Sequence, residues 1–332
     1  MALVRKLPKL IISLLFIFGS VSCNRQGEQN DDVAIFRFEK ELFNIPANAF
    51  NEWRQEQPEL IQDFSRAFTE YIIRTGPDTL PESLILLDEF TSDPVIMELK
   101  RMSDSLYGQE IADAGRLMGA LEKFTLWTGG ENPPQVLTYL SGFNQSFVTL
   151  SGLLGIGLDH YLGKELVYYQ DLGFPKYLID LKEPAYLVPD ALRAWILSEL
   201  QEPGMDATLL DHMVFHGKIM YLLGELLPGM SHTRVFRYRE GQLDWLKTHE
   251  KAMWNHLARE SMLFTKDRMA IRRLIEEAPF TRDYGNESPG RAGCWLGYRI
   301  VARFMKKSGL TPPELIKTTD SRLILEKAQY KP

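Results

Sequence analysis

The stretch QVLTYLSGFNQSFVTLSGLLGIGLDHYLG, residues 135–163, decides the fold class. Residues 135–141 and 147–157 are rich in Val, Leu, Thr, Tyr and Phe, with Gly142, Phe143 and Asn144 between them. That composition, punctuated by a turn-forming group, reads as a small antiparallel sheet. Its last strand is expected to run through Gly155 and Gly157 to Asp159, His160 and Gly163. Glycines so closely spaced let another backbone approach, or accommodate a bend.

Working outward, sheet character recurs only at residues 34–39. There Ile35, Phe36 and Phe38 interleave with Arg37 and Glu39, as on an edge strand. The remainder has helical periodicity: 48–74, 81–106, 113–127, 190–201, 206–227, 242–263, 266–278, 289–308, and a short helix after Pro312. Asp190 and Asp206 stand as start signals, and Pro228-Gly229 as a stop. The fold class is α+β and α-rich, with a small antiparallel or mixed sheet.

The N-terminus has three zones. Arg5, Lys6 and Lys9 form a positive region, residues 10–18 an apolar run, and Gly19-Ser20-Val21-Ser22 supplies small residues before Cys23. The run is about half the ~20 residues a spanning helix needs, so it reads as a cleaved export signal over 1–22. Cysteine at the cleavage point indicates lipidation, and two or more acyl chains hold a protein on a membrane where one does not. Residues 23–32 then read as a flexible tether, and 33–332 as a single globular envelope domain.

The net charge of −6 includes the three basic side chains of the leader, so the mature chain stands at about −9. An acidic domain gains nothing from nucleic-acid phosphates, and no nucleic-acid partner is expected. Cys23 and Cys294 are the only cysteines. With Cys23 acylated no internal disulfide can form, and stability must come from an apolar core, which a 45% hydrophobic composition can supply.

Several constellations have residue types that can do chemistry. His212 and His216 are four apart on a helix, the spacing at which two imidazoles can share a zinc ion. The residue after His212 is Met213, however, which takes no proton. The stripe Leu209, Met213, His216, Met220, Leu223, Leu227 also places His216 on the buried face, as a hydrogen-bonded core histidine. Asp159-His160 and His249-Glu250 could each add a ligand or an acid/base pair, but adjacent residues point apart, and both read as surface charges. No glycine-framed serine or phosphate loop occurs. Cys294 sits among Gly290, Gly293, Trp295 and Gly297, which indicates tight helix packing rather than a reactive thiolate. Trp245, Trp254, Trp295 and Tyr298 suit either core packing or a partner surface.

Four blocks together resemble one family. They are the cysteine-containing leader, Gly157-Leu158-Asp159-His160-Tyr161-Leu162-Gly163, His216-Gly217-Lys218 ahead of Leu227-Pro228, and Glu287-Ser288-Pro289-Gly290-Arg291 with Gly293-Cys294-Trp295 continuing to Val301. The chain resembles the GldB-type gliding motility lipoproteins over nearly all its mature length. The resemblance implies a membrane-anchored cell-envelope lipoprotein, its domain in the periplasm, required for gliding and partnered with components of the gliding and type IX secretion machinery.

That family is in turn similar to predicted zinc peptidases, in which an edge strand precedes an HExxH helix and a later Glu-Gly-Lys helix brings the third ligand. The strand aligns with residues 157–163. The HExxH helix falls within 190–199, which has no histidine, and the third-ligand glutamate falls on His216. The resemblance therefore implies a degenerate zincin-like fold, no catalytic residues, no metal and no cofactor. Asp159, His160, His212, His216 and Glu250 are the candidate vestigial site or groove, which is expected to hold a peptide or partner by strand addition along residues 150–160. Two other classes compete. One is a metal-dependent hydrolase built on His212, His216 and one of Asp159, His160 or Glu250, and the other is a lipid- or glycan-binding module.

Overall fold

Pro58 and the Asp93-Pro94 pair break what periodicity alone reads as two long helices. The computed structural model describes residues 35–332 apart from Asp78 and Gln109, so the expectations for the export signal, Cys23 and the tether lie outside the described residues. The chain enters through β1 (Phe36–Arg37) and turns at once into α1 (Phe38–Leu42). The expected helix over 48–74 is α2 (Phe50–Gln55), then α3 (Glu59–Ala67) extended by a π-helical turn, Phe68–Ile72. That over 81–106 divides into α4 (Pro81–Ser92) and α5 (Pro94–Tyr107). Proline has no N–H to continue a helix but suits a first position, and the Asp93 side chain caps α5 by accepting from Val95 and Ile96. Next comes α6 (Ala114–Thr128), which stops at the left-handed Gly129.

The sheet follows: β2 (Gln135–Tyr139), β3 (Phe147–Leu150) and β4 (Leu153–Gly157). Its order is β1-β2-β4-β3. It is mixed rather than antiparallel. β1 and β4 both run parallel to β2, and only the β3–β4 hairpin is antiparallel. The hairpin turns through Ser151 and the left-handed Gly152, and the chain then comes back between β2 and β3 rather than beside β3 alone. Strand composition does not encode that choice. β4 is therefore interior, so strand addition along 150–160 is barred, and the accessible edge here is β3.

Both sheet faces are covered. Leu137, Tyr139 and Leu153 pack with Phe38, Phe64 and Phe68 on one side, whereas Val136, Leu154 and Ile156 join the main core on the other. The Phe38 ring meets Phe64 and Phe68 edge-on at 5.0 Å each. Gly155 makes room for the Phe64 and Tyr139 rings. At Gly157 a Cβ would lie 2.4 Å from the Gln145 carbonyl oxygen, so only glycine admits that backbone. The strand ends there. Leu158–Tyr161 is a 3-10 turn, not a continuation to Gly163.

The second half is helical: α7 (Val167–Asp171), α8 (Lys176–Ile179), α9 (Leu187–Glu199), α10 (Leu209–Leu226), α11 (His232–Phe236), α12 (Glu240–Arg259), α13 (Arg268–Ile275), α14 (Ala292–Ser308), α15 (Pro312–Lys317) and α16 (Ser321–Ala328). Asp190 lies within α9 rather than capping it, and α10 is capped by Thr208 in a capping box with Asp211. α9 lies against β3 and β4, while α10 packs on α9, α13 and most extensively α14. The α10–α14 contact is backbone on backbone. A Cβ on Gly297 would sit 1.7 Å from the Met213 carbonyl oxygen, and one on Gly217 2.3 Å from the Gly297 carbonyl carbon. Among the described residues, no helix is long and apolar enough to cross a membrane.

Candidate functional site

The five candidate residues fall into three separate constellations. Asp159, fully buried, is a structural anchor rather than a surface charge. Its carboxylate accepts from the Ser141 N–H (3.1 Å), the Ser141 hydroxyl (3.0 Å) and the Phe143 N–H (2.6 Å), which pins the loop between β2 and β3. Burial raises its pKa against the pull of those bonds. His160 is buried too, between the rings of Phe143 and Phe174. Lys182 Nζ lies 2.6 Å from His160 Nδ1. A lysine ammonium can only donate, so Nδ1 accepts and Nε2, buried without a partner, carries the proton. Burial, then the Lys182 charge, push the His160 pKa down to about 3. Burial likewise brings Lys182 down to about 8, with Arg237 adding to the effect.

Glu250 is a buried clamp for the C-terminus. Arg299 Nε donates to it at 3.0 Å and the Tyr330 hydroxyl at 2.6 Å. Its neighbour His249 stacks on Trp245 at 4.1 Å and sets Nδ1 2.8 Å from the Trp245 carbonyl. The surface reading of these dyads fails because each acid has gathered donors that no adjacent residue supplies. The aromatic residues behave as packing: Trp295 is buried, and Trp245, Trp254 and Tyr298 lie against the main core.

His212 and His216 do share a site. Both line a cavity of about 370 Å³ between the α9–α10 connection and α13. The rest of the expected stripe, Leu209, Met213, Met220, Leu223 and Leu227, is buried. His216 is only half-buried, and neither histidine has a hydrogen-bond partner within the described residues, so the hydrogen-bonded core histidine is corrected to a cavity wall. Burial, then Arg291 and Arg193, hold the His216 pKa down at about 3, and burial lowers that of His212. The other two residues of that block are structural. Gly217 makes the α14 contact, and Lys218 donates to the Thr318 carbonyl at 2.8 Å beyond the end of α15.

A cluster of charges behind His216 was not singled out from the sequence. Asp190, buried on α9, accepts from the Tyr161 hydroxyl (2.9 Å) and from Arg237. Glu277 lies 3.4 Å from Arg237 Nε and 3.2 Å from Arg291 Nε. Arg193 donates to the Val235 carbonyl at 2.6 Å, while its Nε and Asp190 Oδ1 are buried without a hydrogen-bond partner. Burial and the flanking guanidiniums of Arg291 and Arg237 lower the pKa of Arg193 to about 10, so it remains charged at neutral pH. The available signal was a charged pair three apart, Asp190 and Arg193, in a helix otherwise apolar from Leu187 to Leu197.

Residues 287–301 tie these parts together. The Ser288 hydroxyl accepts from the Thr281 N–H at 3.1 Å, and a Cβ on Gly290 would strike the Ala278 carbonyl. Arg291, left-handed at φ 57°, donates to the Phe236 carbonyl at 2.9 Å and lies over the Tyr238 ring. Cys294 is buried and its thiol is pushed up to about 12 by burial, as an inert packing residue would be.

What this defines is an α-rich α+β protein whose buried carboxylates are committed to hydrogen bonds and guanidiniums. Among the described residues, no group of three or more His, Cys, Asp or Glu is placed to hold a metal ion. The chain belongs to the family described as gliding motility protein GldB, which matches residues 23–332. Membership makes it a non-catalytic, gliding-motility-associated lipoprotein of the cell envelope. No curated protein and no solved structure gives a match.

Proposed function

We propose that this chain is a scaffold or accessory factor of the gliding and type IX secretion machinery, built on a degenerate metallopeptidase-like, zincin-like domain. Residues 1–22 are its export signal, Cys23 bears the acyl chains, 23–32 is the tether, and the domain over 33–332 faces the periplasm. The observation that carries the reading is the pairing of α9 with His216. Two histidines of an HExxH helix stand at i and i+4 with the glutamate at i+1. Residues 190–199 of α9, where that helix is expected, hold no histidine, and Arg193 among them acts electrostatically on His216 of α10, the position of the third ligand. A guanidinium does not ligate metal and no histidine stands beside it on α9, so no water can be activated by that route. What such a site retains is its groove. The open edge of β3 lies beside α9 and is suited to pairing with an extended segment of a partner.

The test is affinity capture of the full lipoprotein from membranes of gliding cells, beside a Thr149→Pro variant that removes a β3 backbone N–H from the edge turned away from β4. Specific recovery of motility components, reduced by the variant, is the expected result. Recovery of no specific partner, with gliding intact when the chain is deleted, overturns the reading.

A further inference from the structure

The cavity lined by His212 and His216 has walls of two chemistries. At about 370 Å³ it lies within the range of small-ligand sites. Pro203, Met205, Ala207, Ile271 and Ile275 give it apolar surface. Lys266, Arg268 and Arg272 bring positive charge, against the single carboxylate of Glu276. That carboxylate is taken by Arg272 at 2.8 Å. Lys266 lies 3.9 Å from an Asp206 that is 99% exposed, and Arg268 has no ion-pair partner among the described residues. The two imidazoles are open to the cavity with their hydrogen-bonding atoms unused by the protein. Arg193 and Arg291 add positive potential behind His216.

We propose that this cavity binds the C-terminal carboxylate of a partner polypeptide whose last side chain is apolar. The neutral imidazoles offer N–H donors, and Arg268 and Lys266 offer the charge a carboxylate needs. The five apolar side chains would receive the terminal residue. A bare phosphate or a sugar headgroup would leave those walls against water, whereas an apolar terminus satisfies both chemistries at once. Capture of a chain end also gives the peptide a fixed register, which strand pairing alone leaves free to slip. The inference deepens the non-catalytic binding reading above and rests on it.

The experiment uses the full chain in detergent and fluorescence anisotropy. The probe is a dye-labelled hexapeptide of glycine and serine ending in two leucines, with a free carboxylate, beside the same peptide amidated. Saturable binding of the free acid, at least tenfold tighter than the amide, is expected. The pair Lys266→Gln and Arg268→Gln, both outside the packed core, should weaken the acid at least tenfold while leaving the amide and the melting temperature unchanged. Equal binding of acid and amide, binding of neither, or displacement of the acid by millimolar inorganic phosphate each overturns the proposal. If peptide selectivity is absent while the chain still captures motility components, this inference fails and the scaffold reading stands. If the chain captures none and is dispensable for gliding, the scaffold reading fails whatever the peptide does.

Discussion

Replacing Gly297 by alanine tests whether the α10–α14 contact limits the stability of the domain. The added Cβ would lie 1.7 Å from the Met213 carbonyl oxygen and 2.4 Å from its carbon. An ordinary carbon–oxygen contact is roughly 3.3 Å, so the helices must part by about 1.5 Å, and neither atom can swing aside because both belong to backbone. Overpacking of this kind costs about 1–3 kcal/mol and belongs here at the upper end. Alanine's better helix propensity returns about 1 kcal/mol, leaving a net loss of about 2. For a domain of about 300 residues that is a fall in Tm of about 3 °C. Gly224, on the same α10, is the control. Nothing lies within 4 Å of a Cβ there, so Gly224→Ala should stabilise by about 0.5–1 kcal/mol. Gly217→Ala presses on the same gap from the other side, so the Gly217/Gly297 double variant should cost less than the two single losses together. Thermal and urea unfolding of the full chain in detergent, followed by far-UV circular dichroism, would measure all four. A Gly297→Ala melting temperature at or above that of the wild type would refute the reasoning, because propensity would then outweigh the contact.

Tyr330→Phe deletes the hydroxyl that donates to buried Glu250 and should cost about 1–2 kcal/mol, read as a lower urea midpoint with an unchanged slope. An unchanged midpoint would mean the C-terminal clamp is idle. Asp190→Asn removes the carboxylate facing Arg237, and breaking a buried pair on one side costs about 3–5 kcal/mol, visible as a large drop in Tm. The same substitution leaving stability untouched would show Glu277 alone to be a sufficient counter-charge. His160 and His216 have folded pKa values near about 3, below the unfolded 6.5, so the stability they contribute is present above pH 6.5 and lost as pH falls toward about 3. Each adds a slope of about 1.4 kcal/mol per pH unit. Between pH 6.5 and 5, above most carboxylate titration, a His160→Gln/His216→Gln variant should show a visibly flatter acid limb than wild type. Identical limbs would place the proton uptake elsewhere.

The sequence showed its elements better than their arrangement. Residues 135–141 and 147–157 were legible as strands because Val, Leu, Tyr and Phe crowd there between turn formers. Their order was not, since parallel pairing of β2 with β4 depends on the path of the chain after Ser141, and that path is held by Asp159 from eighteen residues away. Asp159 looked like a surface charge because its donors are distant in sequence or in the backbone, where residue type leaves no mark. Helix breaks at Pro58 and Pro94 had their signal in the prolines themselves, and α16 had its signal in the capping Asp320. At the site, the i, i+4 spacing of His212 and His216 put both on one helix face, but that this face lines a cavity left no mark in the sequence. The buried guanidiniums were missed because arginine is ordinarily a surface residue, and only its company, Asp190 inside an apolar helix, marked it as otherwise.

On the degenerate-peptidase reading, loss of a metal leaves an electrostatic problem as well as a chemical one. Asp190 is buried, with the more exposed Glu277 in the same cluster, and a carboxylate buried like Asp190 needs a cation or it destabilises the fold. A divalent ion would serve. In its absence, Arg193, Arg237 and Arg291 hold those charges with three guanidiniums placed on three different elements. Guanidiniums also bond neighbouring carbonyls, here those of Val235, Phe236 and Arg237, which knits the Val235–Arg237 backbone to α9 and to the start of α14. Replacing Arg193 by histidine would then remove a structural cation before any zinc arrived, so the variant should lose stability in thermal unfolding without gaining hydrolytic activity.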